Sequence, residues 1–243
     1  MSQPTSSDGS ARRRETVQAT GETRFGLTDL LIVLMTIIWG SNFTVVKYAI
    51  EDLKPLSFTG IRFAIASMAM LVITRASGTN LRVSRSDLLR LFGLALLTNV
   101  LYQVSFMIGM SHTRAGNAAL ILATTPLFTA VIGRLRKQEY FTRLGVAGLL
   151  LAFLGIGLVV WAGHGQTGEG STALGDALLI AATMCWAIYT TLSHRFVHEY
   201  GSLKTTTLMM ITGTPVLLLA CLPSMLEQDW SQVRTLSWIG VVY

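Results

Sequence analysis

The chain has 243 residues, of which 51% are hydrophobic and only 13% charged, with a net charge of +6 and a mean hydropathy of +0.53. Soluble domains carry about 25% charge, so this balance excludes an ordinary soluble domain and a disordered chain. The basic residues lie between apolar runs and form no patch or stripe, so no nucleic-acid partner is expected despite a pI near 9.7.

Residues 1–27 are rich in Ser, Thr, Gly and mixed charge and are expected to form a disordered cytoplasmic tail. They are not read as a signal peptide, because the first apolar run leads into Lys47 and a second run rather than a cleavage site. A bilayer-crossing helix needs about 20 mostly apolar residues. The gaps between charges place such runs at 30–46, 55–74 (interrupted by Arg62), 91–113, 115–133, 144–168, 177–194 and 205–226. Residues 237–243 resemble the opening of an eighth. The fold class expected is therefore all-α, a polytopic membrane bundle with seven complete helices. Trp161, Tyr140 and Trp230 fall near span ends, as interfacial aromatics do. Cys185 and Cys221 both sit in apolar runs and suggest neither a disulfide framework nor a metal site.

Short connectors make successive helices antiparallel. Of 19 basic residues, 14 then fall on the side of the N-terminus, four on the other side, and one, Arg62, within a span. This asymmetry places the N-terminus in the cytoplasm of a cell-membrane protein.

Leu27-Thr28-Asp29 opens the first span and Trp39 follows ten residues after Asp29. Leu174-Gly175-Asp176 opens the sixth, and Trp186 follows ten residues after Asp176. The two copies lie 147 residues apart, and small residues, Gly40 and Ala187, follow both tryptophans. Five helices separate the copies, so the second is inverted relative to the first, an architecture of secondary transporters with the substrate near the midplane.

The candidate pathway follows from polar and aromatic residues at mid-depth. Trp39 and Trp186 approach the bilayer centre from opposite sides, and Asn42 lies one turn beyond Trp39. Trp186, Tyr189, Thr190 and Ser193 share one helix face at i, i+3, i+4 and i+7 spacing. Asn99, Tyr102 and Gln103 are expected on one face of the third span. Thr125 precedes Pro126, which deprives the carbonyl of Leu122 of its helix bond. Packing between helices is the alternative for each of these side chains. Small-residue pairs, Gly60 with Ala64 and Gly148 with Ala152, are read as close-packing contacts.

Arg62 is the sharpest residue. It lies about 10 Å along its span, where a cation is costly and faces a polar interior or a partner. It either attracts substrate or bonds helix-end carbonyls. Lys47 can snorkel to the boundary, and Glu139 among Arg136, Lys137 and Arg143 reads as a salt bridge. The charge gaps leave no carboxylate within a complete span, which argues against a proton site or a cationic substrate. The histidines fall at span ends or in loops, so no catalytic residue is assigned. Neither a metal nor a cofactor is expected. Rings of like charge that would select ions in a channel are not visible.

Trp39-Gly-Ser-Asn-Phe-Thr-Val-Val-Lys47 followed by Pro55-Leu-Ser-Phe-Thr-Gly-Ile-Arg62-Phe63 resembles the first two helices of the EamA family of the drug/metabolite transporter superfamily. Asn117-Ala-Ala-Leu, Thr125-Pro126, Glu139 before Gly145 and Gly155, Leu174-Gly-Asp176 and Trp186-Ala-Ile-Tyr189 extend the resemblance over residues 27–243. Gln138 departs from the small residue usual before the glutamate. The resemblance implies ten helices in two inverted five-helix repeats, and export of small metabolites such as amino acids. Against that pattern, residues 28–163 form a first repeat and 174–243 part of a second, as in a C-terminally truncated chain.

The expected function is export of a small polar or zwitterionic metabolite across the lipid bilayer by alternating access. The pathway would be built on Trp39, Asn42, Arg62, Asn99, Tyr102, Gln103, Thr125, Trp186 and Tyr189. A truncated, non-transporting membrane module or partner subunit is the competing expectation, and a homo-oligomer stays open.

Overall fold

The computed structural model describes residues 26–136, 142–164 and 172–242, and every regular element among them is helical. Seven long helices follow one another: α1 (Leu27–Ala49), α2 (Pro55–Ala76), α3 (Arg85–Ser111), α4 (Ala115–Leu135), α5 (Arg143–His164), α6 (Ala173–Tyr200) and α7 (Ser202–Leu226). A 3₁₀ turn, Trp230–Gln232, then leads into α8 (Thr235–Val242). All but α5 and α8 are long and apolar enough to cross a membrane over their described residues. The 22-residue α5 is apolar over Leu144–Gly155. The charge gaps therefore predict six of these spans, while the fifth run, 144–168, falls on α5 and on residues outside the described ones. The tail before Gly26, the connector residues Lys137 to Tyr140 and the Gly-rich exit around Gly168 lie outside the described residues, as does the Trp161 side chain.

Local chemistry sets the helix ends. Pro55 occupies the first turn of α2, where its missing N–H costs nothing. The Ser84 hydroxyl caps α3 by accepting from the Asp87 N–H at 3.1 Å, and Thr172 caps α6 by accepting from the Gly175 N–H at 3.1 Å. Gly201, at φ +81°, joins α6 directly to α7 through a conformation that residues with a Cβ rarely adopt.

Two carboxylates lie deeper than the charge gaps suggest. The capped turns extend α3 and α6 toward their N-termini, so Asp87 and Asp176 sit in first turns of spanning helices. Asp176 is buried and accepts a hydrogen bond from the Thr113 hydroxyl at 3.1 Å, while Tyr200 donates to Asp87 at 2.7 Å. The donors on Asp87, Tyr200 and Ser84, offset its desolvation, and Thr113 supplies one donor to Asp176.

The chain forms two compact units that divide after Trp39. In the first, the described residues up to Trp39 are exposed, with Asp29 accepting from the Gly26 N–H at 2.9 Å. In the second, α2 lies along α7, and α6 touches α3, α4, α5 and α7. Close approach depends on glycine where two helices meet. A Cβ on Gly60 would lie 3.2 Å from the Cys221 Cβ, and one on Gly213 would lie 2.8 Å from the Ala95 Cβ. Gly148 differs from the expectation: no described atom lies within 4 Å of the place its Cβ would take. Hydroxyl pairs join α2 to α7, Ser57 with Ser224 at 3.0 Å and Thr74 with Thr207 at 2.6 Å. Such polar links are the glue available between helices where apolar burial has no driving force.

Candidate functional site

Within the second unit, Arg62 Nη2 donates to Asn42 Oδ1 at 3.0 Å, linking α2 to α1. The guanidinium carbon lies 5.7 Å from the centre of the Phe58 ring, one turn back on α2. Arg62 is half-buried and about 10 Å along its helix from Pro55. A side-chain amide, rather than only helix-end carbonyls, thus helps to hold this cation. The guanidinium presents five donors in a planar fork that matches a carboxylate.

Next to Asn42, Phe43 begins an aromatic ladder. It meets Phe106 edge-on at 6.2 Å between ring centres, and Phe106 stacks on Tyr102 at 5.8 Å. Tyr102 reaches across to Trp186 on α6 at 5.1 Å, and Trp186 meets Tyr189 at 5.3 Å. Tyr102, Trp186 and Tyr189 are half-buried. The structure therefore joins five sequence candidates: Asn42, Arg62, Tyr102, Trp186 and Tyr189. Sequence reasoning omits Phe43, Phe58 and Phe106, although the adjacency of Phe43 to Asn42 and the four-residue spacing of Tyr102 to Phe106 could have found them.

The remaining candidates separate. Asn99 and Tyr102 are expected on one face, but residues Leu96–Tyr102 form a π-helical segment in the middle of α3. Its wider turn breaks the three-residue spacing of an α-helix. Asn99 consequently faces α7, donating to the Met209 carbonyl at 3.1 Å and accepting from Thr98 at 3.2 Å, while Tyr102 meets α6. Gln103 is half-buried where the α-helix resumes. Thr125 donates to the Leu122 carbonyl at 2.6 Å, inside a break of α4 at residues 123–124. Trp39 belongs to the first unit, where the residue is 56% exposed.

Near one end of the second unit, Arg234 donates to Asp52 at 2.7 Å and to Glu51 at 3.1 Å, and lies 4.7 Å from the Tyr48 ring centre. The Arg234 hydrogen bond, followed by that from Ser237, holds the Asp52 carboxyl below its ordinary pKa. Lys54 likewise lowers Glu227 through a contact of 2.7 Å. Among the described residues, no three His, Cys, Asp or Glu side chains gather as a metal site.

Apolar spanning helices joined by hydroxyls and glycines, with a cation and an aromatic ladder inside, define a multi-pass membrane protein. Residues 26–161 and 173–243 match the EamA-like transporter family, and the chain belongs to that family. It is 29% identical over 216 residues to the uncharacterized transporter YyaM of Bacillus subtilis (strain 168), covering 88% of this chain and 71% of that protein. An uncharacterized transporter of Archaeoglobus fulgidus is 26% identical over 185 residues, covering 76% and 64% respectively. The chain thus spans about two-thirds of the length of these relatives. A solved crystal structure shares the fold at 18% identity and a TM-score of 0.59, over 85% of this chain and 69% of that one.

Proposed function

We propose that this chain carries a small polar or zwitterionic solute, amino-acid-like in its chemistry, out of the cell by alternating access. The observation that carries this reading is the Arg62–Asn42 pair beside the Tyr102–Trp186–Tyr189 ladder. The guanidinium fork suits a carboxylate, and the faces of Trp186 and the two tyrosines suit an ammonium group. Together they complement both ends of a zwitterion without a protein carboxylate. Trp39, Asn99, Gln103 and Thr125 are assigned supporting places along the same path, with Asn99 and Thr125 setting helix geometry.

Two inverted repeats, 28–163 and 174–243, would rock about this site. The separate family matches and the paired Asp29/Trp39 and Asp176/Trp186 spacings support that division. The excess of basic residues on one side supports a cytoplasmic N-terminus in the plasma membrane.

Counterflow into proteoliposomes holding the full-length protein tests the proposal, with labelled neutral amino acids as probes. Arg62→Ala and Trp186→Ala should each abolish saturable exchange while the protein still elutes as a folded species. Unchanged exchange in both variants would overturn the site assignment. Absence of exchange for every zwitterion, with transport of a cation instead, would overturn the substrate class.

A further inference from the structure

A cavity of about 690 Å³ opens where α3, the end of α4 and the second half of α6 meet, remote in chain position from the Arg62 pair. Arg90, Arg136, His194 and Arg195 line it together with leucines, among them Leu97 and Leu101. The cations come from three different helices. Among the described residues, Asp87 lies 3.5 Å from Arg90 and Glu199 lies 3.5 Å from Arg195. Both arginines remain largely exposed, at 57% and 62% of the side chain, and Arg136 is exposed as well.

The cavity is polar at one end and apolar at the other. From Arg90 to Leu101 the wall runs on the order of 15 Å along α3, from near the helix start into the apolar mid-span. A water-soluble anion has no use for that leucine wall, and an apolar helix has no use for three guanidinium groups. An amphiphile with a phosphate head and a hydrocarbon tail uses both.

We infer that this cleft is a binding site for one anionic phospholipid, its phosphate held by Arg90, Arg136 and Arg195 and an acyl chain lying along Leu97 and Leu101. Basic pockets between spanning helices recognise lipid headgroups through this combination of charge and shape. The same sign of charge suits the leaflet to which the basic-residue asymmetry assigns this end. The inference does not depend on the substrate proposed for Arg62.

Native mass spectrometry of the full chain released from mixed phosphatidylcholine and phosphatidylglycerol nanodiscs tests it. The wild-type protein should retain one phosphatidylglycerol in preference to phosphatidylcholine. Each arginine near the surface contributes about fivefold to such a preference. Arg136→Gln, at an exposed position that leaves the fold intact, should lower it about that much, and the triple variant R90Q/R136Q/R195Q at least about tenfold. Leu97→Trp keeps every charge but narrows the cleft, and should also weaken retention. An unchanged preference in the triple variant overturns the site, and full retention in Leu97→Trp reduces it to surface charge. Arginine-dependent binding of inorganic phosphate in pure phosphatidylcholine discs, without preference for phosphatidylglycerol, would overturn the lipid in favour of a soluble anion.

Discussion

The hydroxyl of Thr125 donates across 2.6 Å to the carbonyl of Leu122, the same carbonyl that Pro126 leaves without its i+4 N–H. A stranded carbonyl in hydrocarbon costs several kcal/mol, so the residue before the proline supplies what the proline removes. The Thr124 hydroxyl also donates to a carbonyl, that of Ile121, which accepts from the Thr124 N–H as well. Thr125→Val should therefore cost about 1 kcal/mol of stability in bicelles, the scale of membrane hydroxyl bonds. In a Pro126→Ala background, where an N–H returns, the cost should fall close to zero. Denaturant unfolding of the four proteins checks this, and an equal cost in both backgrounds would exclude the compensation.

The Arg62–Asn42 bond predicts a coupled pair. Hydrogen bonds to charged groups contribute about 1.5–3 kcal/mol, so Asn42→Ala should weaken solute binding by about tenfold or more. Arg62→Lys keeps the charge but loses the fork and should bind nearly as poorly as Arg62→Ala. The double variant should be no weaker than Arg62→Ala alone. Additive losses in the double-mutant cycle would mean that the two side chains act independently.

Glycine contacts predict an ordered series. Gly213→Ala brings a Cβ to 2.7 Å from Asn99 Nδ2 and 2.8 Å from the Ala95 Cβ, so α3 and α7 must part. A loss of about 1–3 kcal/mol is expected from such overpacking. Gly60→Ala meets the movable Met225 sulfur at 3.0 Å as well as Cys221 and should cost less. Gly148→Ala meets no described atom and should be neutral or gain up to about 1 kcal/mol from helix propensity. Thermal unfolding of the three variants in one detergent reads the order directly.

The Asp52–Arg234 contact carries a pH dependence of definite sign. The folded Asp52 pKa lies below its ordinary value, first because Arg234 donates to it and then because Ser237 does. Its contribution is present above the unfolded pKa of about 3.9 and is lost as pH falls through the lower folded value. Hydrogen exchange around residues 50–54 and 230–237 should stay slow at neutral pH and quicken only in that acidic range. Asp52→Asn should show fast exchange throughout. A change centred near neutrality would assign the link to another group.

Most of the architecture was legible because charges are too costly to sit inside lipid, so their gaps outline the helices. The i, i+3 pairing of Trp186 with Tyr189 was legible for a similar reason, since regular helices repeat. Asn99 was misplaced where that regularity fails: a π-helical segment turns it toward Met209, and nothing in Leu96 to Tyr102 announces the extra width. The Asn42 bond to Arg62 needs the relative rotation of two helices, which apolar periodicity leaves free when lipid and protein interiors are equally apolar. Asp176 was read as the boundary of the sixth span, but the Thr172 cap starts α6 ahead of it and so places the carboxylate within the first turn.

Thr74 and Thr207 lie 133 residues apart in the chain and 2.6 Å apart in the fold. During synthesis α2 therefore enters the bilayer well before its companion exists, at translation rates on the order of ten residues per second. Until then the Thr74 hydroxyl has an acceptor on its own helix, the Met70 carbonyl at 2.7 Å, and Thr207 has the Leu203 carbonyl at 2.8 Å. When the helices meet, one hydroxyl can turn its proton to the other without stranding a polar atom at any stage. This self-sufficiency keeps the Thr74 contact free of a stranded polar atom while α2 waits, so helices inserted one at a time can assemble later at this point.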